Sequence, residues 1–250
     1  MALGEGSLLA ATAPAPKEWT PFQNSCDLCA PSFSVPSWRF LGRGGSGVVY
    51  AATCEGGDQP FVVKISSAQS WRQVALEFDV IQRLSSAKVP NIETPIRLLD
   101  ASPSGSKVVA AVYYPEANGN LTGSLFDTMD PSIKARAAKA IGETVGAMLC
   151  EGIVCVDLQF LLDTDSGRLL VIDLTESLVL SHQPTAIDLS FVQSFLLESR
   201  SLIPDSLFPA AQQAAQMEFS RRFPKASRNY LESPEMSDVL LSSEWEFETR

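Results

Sequence analysis

The sequence is poor in the residues that several common kinds of active site require. Only one histidine, His182, and five cysteines occur among the 250 residues. His182 lies in a polar "SHQPT" segment where a solvated side chain is expected, so a hydrolase triad built on it has weak support. Cys26 and Cys29 form a single C-x-x-C without a second pair or nearby histidines. Reduced thiols are therefore expected there rather than zinc or redox chemistry.

Basic residues and long apolar segments are also scarce. Lys and Arg number 19 against 29 Asp and Glu, a net charge of −10, which disfavours nucleic acid or an anionic membrane as principal partner. No apolar run approaches the roughly 20 residues that span a bilayer. Glu5 precedes the small apolar patch near the N-terminus, so a secretory signal peptide is not expected. The composition is typical of a globular soluble protein, and we expect a cytoplasmic monomer without nucleic-acid or membrane partners.

Hydrophobic periodicity divides the chain into a tail, a strand-rich half and a helical half. Residues 1–36 are rich in Ala, Pro and Ser without periodicity, and are expected to form a flexible segment. Strand patterns follow from Trp38, interrupted by a helical stripe at 69–86. The later elements predicted are a hairpin at 96–114, a helix at 130–152 capped by Asp130 and Pro131, a hairpin at 155–177, and helices at 185–203 and 207–222.

A glycine motif, "LGRGGSGVV", lies in the first strand-rich stretch. Gly42, Gly44, Gly47 and Val49 give the spacing G-x-G-x-x-G-x-V. Glycines at this spacing let a backbone bend closely over a polyphosphate and direct amide groups toward it. A dinucleotide fingerprint needs a helix after the glycines, and a strand pattern follows here. The motif alone is equally compatible with a flexible hairpin.

Four charged residues follow the glycine motif at separate places in the chain. Lys64 lies in the apolar strand "FVVKI", and Glu77 lies in the 69–86 helix. Each has an ordinary interpretation as a solvated side chain. Asp157 and Asp173 stand at the two ends of a hairpin of apolar strands. A carboxylate in such surroundings is costly unless a cation or donor compensates it, so the two aspartates indicate a bound ligand.

The glycine loop and these four charged residues occur in the order that protein kinases require. From about Trp38 to about Ser177 the chain therefore resembles the protein-kinase fold, and the ordered set is more specific than any of its parts. The resemblance implies that ATP and Mg²⁺ are cofactors. It further implies that the nucleotide is bound by Gly42, Gly44, Gly47, Val49, Lys64 and Glu77.

The resemblance also implies a catalytic or binding role for each charged residue. Lys64 would pair with Glu77 and hold the α- and β-phosphates of ATP. Asp157 would accept the proton of the substrate hydroxyl, and Asp173 would hold Mg²⁺. Common kinases have His-Arg-Asp where this chain has Cys-Val-Asp, with Val156 in place of the arginine. Activity that does not depend on phosphorylation of an activation loop is therefore expected.

The metal-binding asparagine of common kinases has no counterpart at its usual position. The five-residue step from Asp157 reaches Leu162, which cannot coordinate Mg²⁺. Gln159 is the nearest amide in the shortened loop, and we expect it to be the second metal ligand. Asp163 is the rival, although an Asp at that position more commonly caps the following turn. A third possibility is a single metal ion on Asp173.

The segment "DLQFLLDTDSGRLLVIDL" is similar to the minimal type III effector kinases of bacterial plant pathogens, the HopBF family. That similarity implies a protein secreted into a host cell, with the ninety-kilodalton heat-shock chaperone of the host as substrate. The N-terminal 37 residues and the C-terminal tail carry none of this likeness. Substrate choice depends on loops that vary freely on one fold, so the chaperone follows from the resemblance alone.

The fold expected from these features is α+β and two-lobed, with a reduced helical C-lobe. Residues 37–116 would form a kinase-like N-lobe of a small antiparallel sheet with one helix. Residues 117–250 would form the C-lobe with an acidic tail, and ATP would bind between the lobes. The expected activity is ATP- and Mg²⁺-dependent phosphorylation of protein serine or threonine. The alternatives are a pseudokinase that binds or scaffolds, and a small-molecule kinase or nucleotidyl transferase of the same fold.

Overall fold

The computed structural model describes most of the strand-rich half and parts of the helical half. The described residues are 37–53, 60–101, 107–114, 129–155, 158–162, 168–180 and 203–222. The chain divides into two compact units, one of residues 1–79 with 94–115 and the other of 80–93 with 116–250. The predicted tail at 1–36, the lobe boundary at 116/117, and all but the last residue of the 185–203 helix lie outside the described residues.

The first unit contains a five-stranded antiparallel sheet in the order β1-β2-β3-β5-β4. Alternate residues on β3 face opposite sides of the sheet, as the period of a strand requires. Phe61, Val63 and Ile65 are buried in an apolar cluster with Trp38 and Tyr50, whose rings meet edge to face at 5.9 Å. The strands are β1 (Ser37–Arg43), β2 (Gly47–Thr53), β3 (Phe61–Ser66), β4 (Thr94–Ala101) and β5 (Val108–Tyr114).

The helix between β3 and β4, α1 (Trp71–Ser86), has one apolar face. Its apolar stripe packs toward the sheet, where the ring of Phe78 lies 5.9 Å from that of Tyr113 on β5. Two residues after the helix ends, Lys88 has a left-handed conformation with φ of 55°. The amide of Val89 then donates to the carbonyl of Leu84 at 3.0 Å, the closing bond of a Schellman-type C-cap. The helix predicted at 69–86 is confirmed, except for its first two residues.

The second unit contains two long helices and two short strand pairs. The first helix, α2 (Pro131–Cys150), begins as predicted, because an Asp130 carboxylate oxygen accepts a hydrogen bond from the Ser132 amide at 2.8 Å. Hydrogen bonds from Ser132 lower the pKa of Asp130. The other elements of this unit are β6 (Ile153–Cys155), β7 (Gln159–Leu162), β8 (Leu169–Ile172), β9 (Ser177–Val179) and α3 (Phe208–Arg222).

The region predicted as one hairpin at 155–177 contains two separate strand pairs. Strands β7 and β8 pair antiparallel, as the prediction required. Cys155, however, ends β6 and pairs with Ser177 of β9. The polar turn and the aspartates interrupt the apolar pattern, so the sequence did not reveal that these outer residues pair as well. The predicted helix at 207–222 is confirmed as α3.

Helices α2 and α3 approach each other closely along a line of small residues. A side chain on Gly142 would place its Cβ 2.0 Å from the carbonyl oxygen of Ala211, and one on Gly146 would come within 2.4 Å of that of Ala215. Contacts this short are not available to any residue with a Cβ. The four-residue spacing puts both glycines on the α2 face that meets α3. None of the helices in the described residues is long and apolar enough to cross a membrane.

The Gly142→Ala variant tests this packing, because close packing predicts a loss of stability where an open helix surface predicts a gain. We expect the free energy of unfolding to fall by about 1–3 kcal/mol, because the helices must separate to admit the methyl group. At an unconstrained helix position the same change stabilises by up to about 1 kcal/mol. Urea denaturation of the wild type and the variant measures the difference. A more stable variant would contradict the close packing of α2 on α3.

Candidate active site

The glycine loop joins β1 to β2 by a tight turn. The amide of Gly44 donates to the carbonyl of Gly47 at 2.9 Å and closes the turn. A bulge near Gly42 shifts the register of β1, and Gly42 then lies opposite Val49. Val49 in turn lies opposite Lys64 of β3. The sheet therefore places three of the residues predicted to bind nucleotide in one cross-strand row.

The structural reason for glycine differs among the positions of the loop. A Cβ on Gly47 would lie 2.2 Å from the backbone oxygen of Ile65, so the close approach of β2 to β3 excludes any other residue. On Gly42, Gly44 or Gly45 an added Cβ would meet no atom within 4 Å. None of these three has a positive φ. Neither steric contacts nor backbone conformation among the described residues therefore requires glycine at these three positions. A ligand that approaches the backbone closely would require it.

Lys64 and Glu77 form an ion pair inside the first unit. The Lys64 Nζ lies 2.9 Å from one Glu77 carboxylate oxygen and 3.1 Å from the other. The lysine is 7% exposed and the glutamate 2%, so neither is a solvated surface residue. Burial of either charge alone is strongly unfavourable, and each compensates the other. Lys64 projects from the sheet face opposite Val63 and Ile65, and α1 presents Glu77 from its buried face.

Asp173 has an unusual backbone conformation in the second unit. Its φ of 58° and ψ of 63° are left-handed, which costs a non-glycine residue of the order of 1–2 kcal/mol. Such strain persists where the surroundings enforce it, and it is concentrated at functional sites. The hydroxyl of Thr175 donates to one Asp173 carboxylate oxygen at 2.8 Å. Thr175 occupies the third place of the Asp-Leu-Thr motif and so orients the carboxylate.

A buried polar contact that the sequence did not indicate supports the strand before Asp173. The carbonyl of Asn91 accepts a hydrogen bond from the amide of Val171 in β8 at 2.7 Å. The side-chain amide of Asn91 donates to the hydroxyl of Thr144 in α2 at 2.8 Å, and Thr144 is fully buried. Asn91 itself has a positive φ of 59°. Asparagine after Pro90 was the available signal, since it tolerates this conformation better than most residues.

Gln159 lies in a strand rather than in the shortened loop where the sequence placed it. It is the first residue of β7 and lies opposite Ile172, the residue before Asp173. Leu158 and Phe160 are buried on either side of it, while Gln159 is half-buried. This period-two alternation explains the extended conformation. Asp157, Val156 and Asp163 lie outside the described residues, and the metal-binding role of Gln159 stays a prediction.

Other residue types give no competing site in the described part of the chain. No group of three or more His, Cys, Asp or Glu there could hold a metal ion. Cys150 and Cys155 are buried thiols, and burial raises the pKa of Cys150 to about 12. A thiol with that pKa is a poor nucleophile at neutral pH. Cys26, Cys29 and His182 lie outside the described residues.

Comparison with known proteins finds similarity in structure. No protein-family model matches the sequence, and no curated protein matches it. A solved crystal structure of a kinase domain is similar, with a TM-score of 0.49 and 11% sequence identity. The match covers 66% of this chain and 62% of the kinase domain, so the chain spans less than two thirds of that protein. The predicted α+β class is confirmed, with a five-stranded antiparallel sheet and few helices.

Proposed function

We propose that this chain is a minimal, atypical protein kinase that transfers phosphate from ATP to serine or threonine. The observation that carries the proposal is the buried ion pair between Lys64, on the same sheet as the glycine loop, and Glu77 of α1. Two buried charges contribute little to stability compared with apolar residues of similar size. Their retention is explained if the ammonium group also binds phosphate oxygens.

The groups of the first unit suit the triphosphate of ATP. The space beside Gly42, Gly44 and Gly45 lets a ligand approach the backbone of the loop closely, and backbone amides in such turns bind phosphate oxygens well. Glu77 fixes the position of the Lys64 ammonium, which then needs little reorganisation to stabilise negative charge. Val49 lies beside Lys64 in the sheet and offers an apolar surface for the nucleotide.

The second unit supplies the residues proposed to bind Mg²⁺ and the acceptor. Mg²⁺ is commonly held by one or two carboxylates together with substrate phosphates. Asp173 fits that requirement, since Thr175 engages one of its carboxylate oxygens in a fixed geometry. Gln159, opposite the residue before Asp173, would supply an amide oxygen. The metal neutralises charge on the phosphates when bound. Asp157, by its place in the motif, accepts the proton of the acceptor hydroxyl.

A pseudokinase is the second candidate function. The observation that favours it is Leu162, an apolar residue at the position where kinases have a metal-binding asparagine. Such a protein would keep the Lys64–Glu77 pair and bind nucleotide without turnover. The carboxylate of Asp173, oriented by Thr175, favours the active enzyme instead, because transfer requires a carboxylate that holds the metal.

The effector role is proposed on local sequence alone. The segment 157–174 is similar to the HopBF kinases, which would make the host's ninety-kilodalton chaperone the substrate and the host cell the place of action. Neither the sheet nor the ion pair bears on this choice, since substrate selection depends on variable loops.

Transfer of labelled phosphate from ATP tests the proposed activity. Wild-type protein is incubated with Mg²⁺, labelled ATP and either a generic protein acceptor, the purified chaperone, or a mixture of small metabolites. We expect label in protein serine or threonine, and none with Asp157→Ala or with excess chelator. Label in metabolites alone would replace the protein kinase with a small-molecule kinase. Nucleotide binding without any transfer would establish the pseudokinase.

A further inference from the structure

The turn of the glycine loop is bonded to the four residues that precede α1. This stretch, Ser67–Ser70, is called the serine segment here. The amide of Ser67 donates to the carbonyl of Ser46 at 3.2 Å, and the hydroxyl of Ser70 donates to the carbonyl of Gly45 at 3.3 Å. Two successive carbonyl groups of the loop are therefore held by one short segment within the first unit.

The hydroxyl groups of the segment form a directed relay. The amide of Ser70 donates to the hydroxyl oxygen of Ser67 at 3.2 Å. The Ser67 hydroxyl donates to that of Ser70 at 2.8 Å. A serine hydroxyl has one proton to donate, so the proton of Ser70 is directed to Gly45. Ser67 thus fixes the direction in which Ser70 donates.

Ser70 is also the residue immediately before α1. Its carbonyl accepts hydrogen bonds from the amides of Gln73 at 3.1 Å and Val74 at 3.2 Å. Ser70 therefore links the glycine loop directly to the helix that carries Glu77.

Peptide geometry gives the contact a consequence for phosphate binding. In a trans peptide the carbonyl and the following N–H point in opposite directions. With the carbonyl of Gly45 turned to Ser70, the N–H of Ser46 points away from the serine segment. The carbonyl of Ser46 accepts a hydrogen bond from the Ser67 amide, so the N–H of Gly47 also points away from the serine segment. Two successive N–H groups directed to one side form a concavity that binds anions.

We propose that Ser70 is a positioning residue of the nucleotide site, whose hydroxyl holds the loop so that the Ser46 and Gly47 amides face the phosphates. This inference rests on the proposed function and extends it to a residue outside every kinase motif identified in the sequence. Ser70 acts through the loop backbone and does not contact the nucleotide. Its removal therefore weakens affinity for phosphates and leaves affinity for the nucleoside unchanged.

The test compares three variants of the full chain by two measurements. Ser70→Ala removes the hydroxyl, and Ser70→Thr restores it. Ser86→Ala is the matched control, because Ser86 lies at the other end of α1 and donates only to the carbonyl of Gln82, at 2.7 Å. Amide hydrogen exchange is measured without nucleotide at Gly44 and Ser67, whose N–H groups donate to the loop carbonyls of Gly47 and Ser46. Dissociation constants are measured separately for Mg-ATP and for adenosine.

Ser70→Ala is expected to accelerate exchange at Gly44 and Ser67, whose hydrogen bonds hold the loop, and to raise the dissociation constant for Mg-ATP. Loss of one hydrogen bond predicts a change of about two- to ten-fold in each. Adenosine binding should be unchanged, Ser70→Thr should return both values toward wild type, and Ser86→Ala should resemble wild type. If Ser70→Ala does not fold, Ser67→Ala is used in its place, with a smaller change of the same sign expected.

Three outcomes would overturn the inference. Unchanged exchange and unchanged Mg-ATP affinity would show that Ser70 does not hold the loop. Equal losses for Mg-ATP and adenosine would show a merely structural role. A wild-type protein that binds neither ligand would refute the proposed function, and the positioning role with it. The exchange rates distinguish that result from a failed tether, since they are measured without nucleotide.

Discussion

Lys64→Met is expected to reduce phosphotransfer by a factor on the order of 10²–10³ or more, the loss found when one preorganised charge-stabilising donor is removed. The same variant should be destabilised by about 3–5 kcal/mol, because Glu77 would remain as a buried carboxylate without its cation. The pair is at most 7% exposed, so water cannot replace the lost partner without a rearrangement. Transfer assays and urea denaturation measure the two effects.

The double variant Lys64→Met/Glu77→Leu separates catalysis from stability. Replacement of both buried charges by apolar residues of similar volume is often neutral or stabilising. We therefore expect the double variant to be at least as stable as Lys64→Met and to remain without activity. A double variant that regains stability but transfers no phosphate would show that Lys64 is required for catalysis and not for folding. A double variant or a Lys64→Met enzyme with wild-type activity would refute the proposed phosphate-binding role.

Asp173→Asn is expected to abolish magnesium-dependent transfer. Mg²⁺ requires oxygen ligands with near-ideal geometry, and a neutral amide in place of the carboxylate removes the charge that attracts it. Gln159→Ala should lower turnover and raise the Mg²⁺ concentration for half-maximal rate while keeping detectable activity. Glu176→Gln is the matched control, because Glu176 is an exposed carboxylate in the same short turn. Initial rates across a magnesium titration compare the three.

The titration also decides the role of Gln159. An unchanged magnesium dependence in Gln159→Ala would remove Gln159 from the metal site and leave Asp173 as its ligand among the described residues. Asp173→Asn with normal magnesium dependence would contradict the metal-binding role altogether. If Glu176→Gln behaved like Asp173→Asn, the effect would come from the charge of the turn and not from coordination.

The strand-rich half could be predicted because local patterns and tertiary structure agree there. The alternation of apolar residues on β3 sets Phe61, Val63 and Ile65 on one face, which leaves Lys64 on the other. The apolar stripe of α1 was equally clear. The sequence order of Lys64 and Glu77 then predicted a pair that the structure brings to 2.9 Å. Their functional roles stay predictions.

Contacts between distant segments could not be predicted from the sequence. The Asn91–Thr144 bond joins residues 53 positions apart, and nothing in either local pattern identifies the other. The strand position of Gln159 was missed because the kinase resemblance favoured a loop there. The Ser70–Gly45 bond spans 25 positions, and serines before a helix ordinarily indicate only a cap. Partner identity in each case depends on the folded chain.

Mass spectrometry of protein acceptors after incubation with Mg-ATP tests the central claim most directly. A cell lysate with its own kinases inactivated is treated in parallel with wild type and with Lys64→Met/Glu77→Leu. The account predicts new phosphoserine or phosphothreonine sites with wild type and none with the double variant. Folded wild-type protein that binds Mg-ATP but adds no phosphate to any protein would contradict it. Equal phosphorylation by both proteins would contradict it as well.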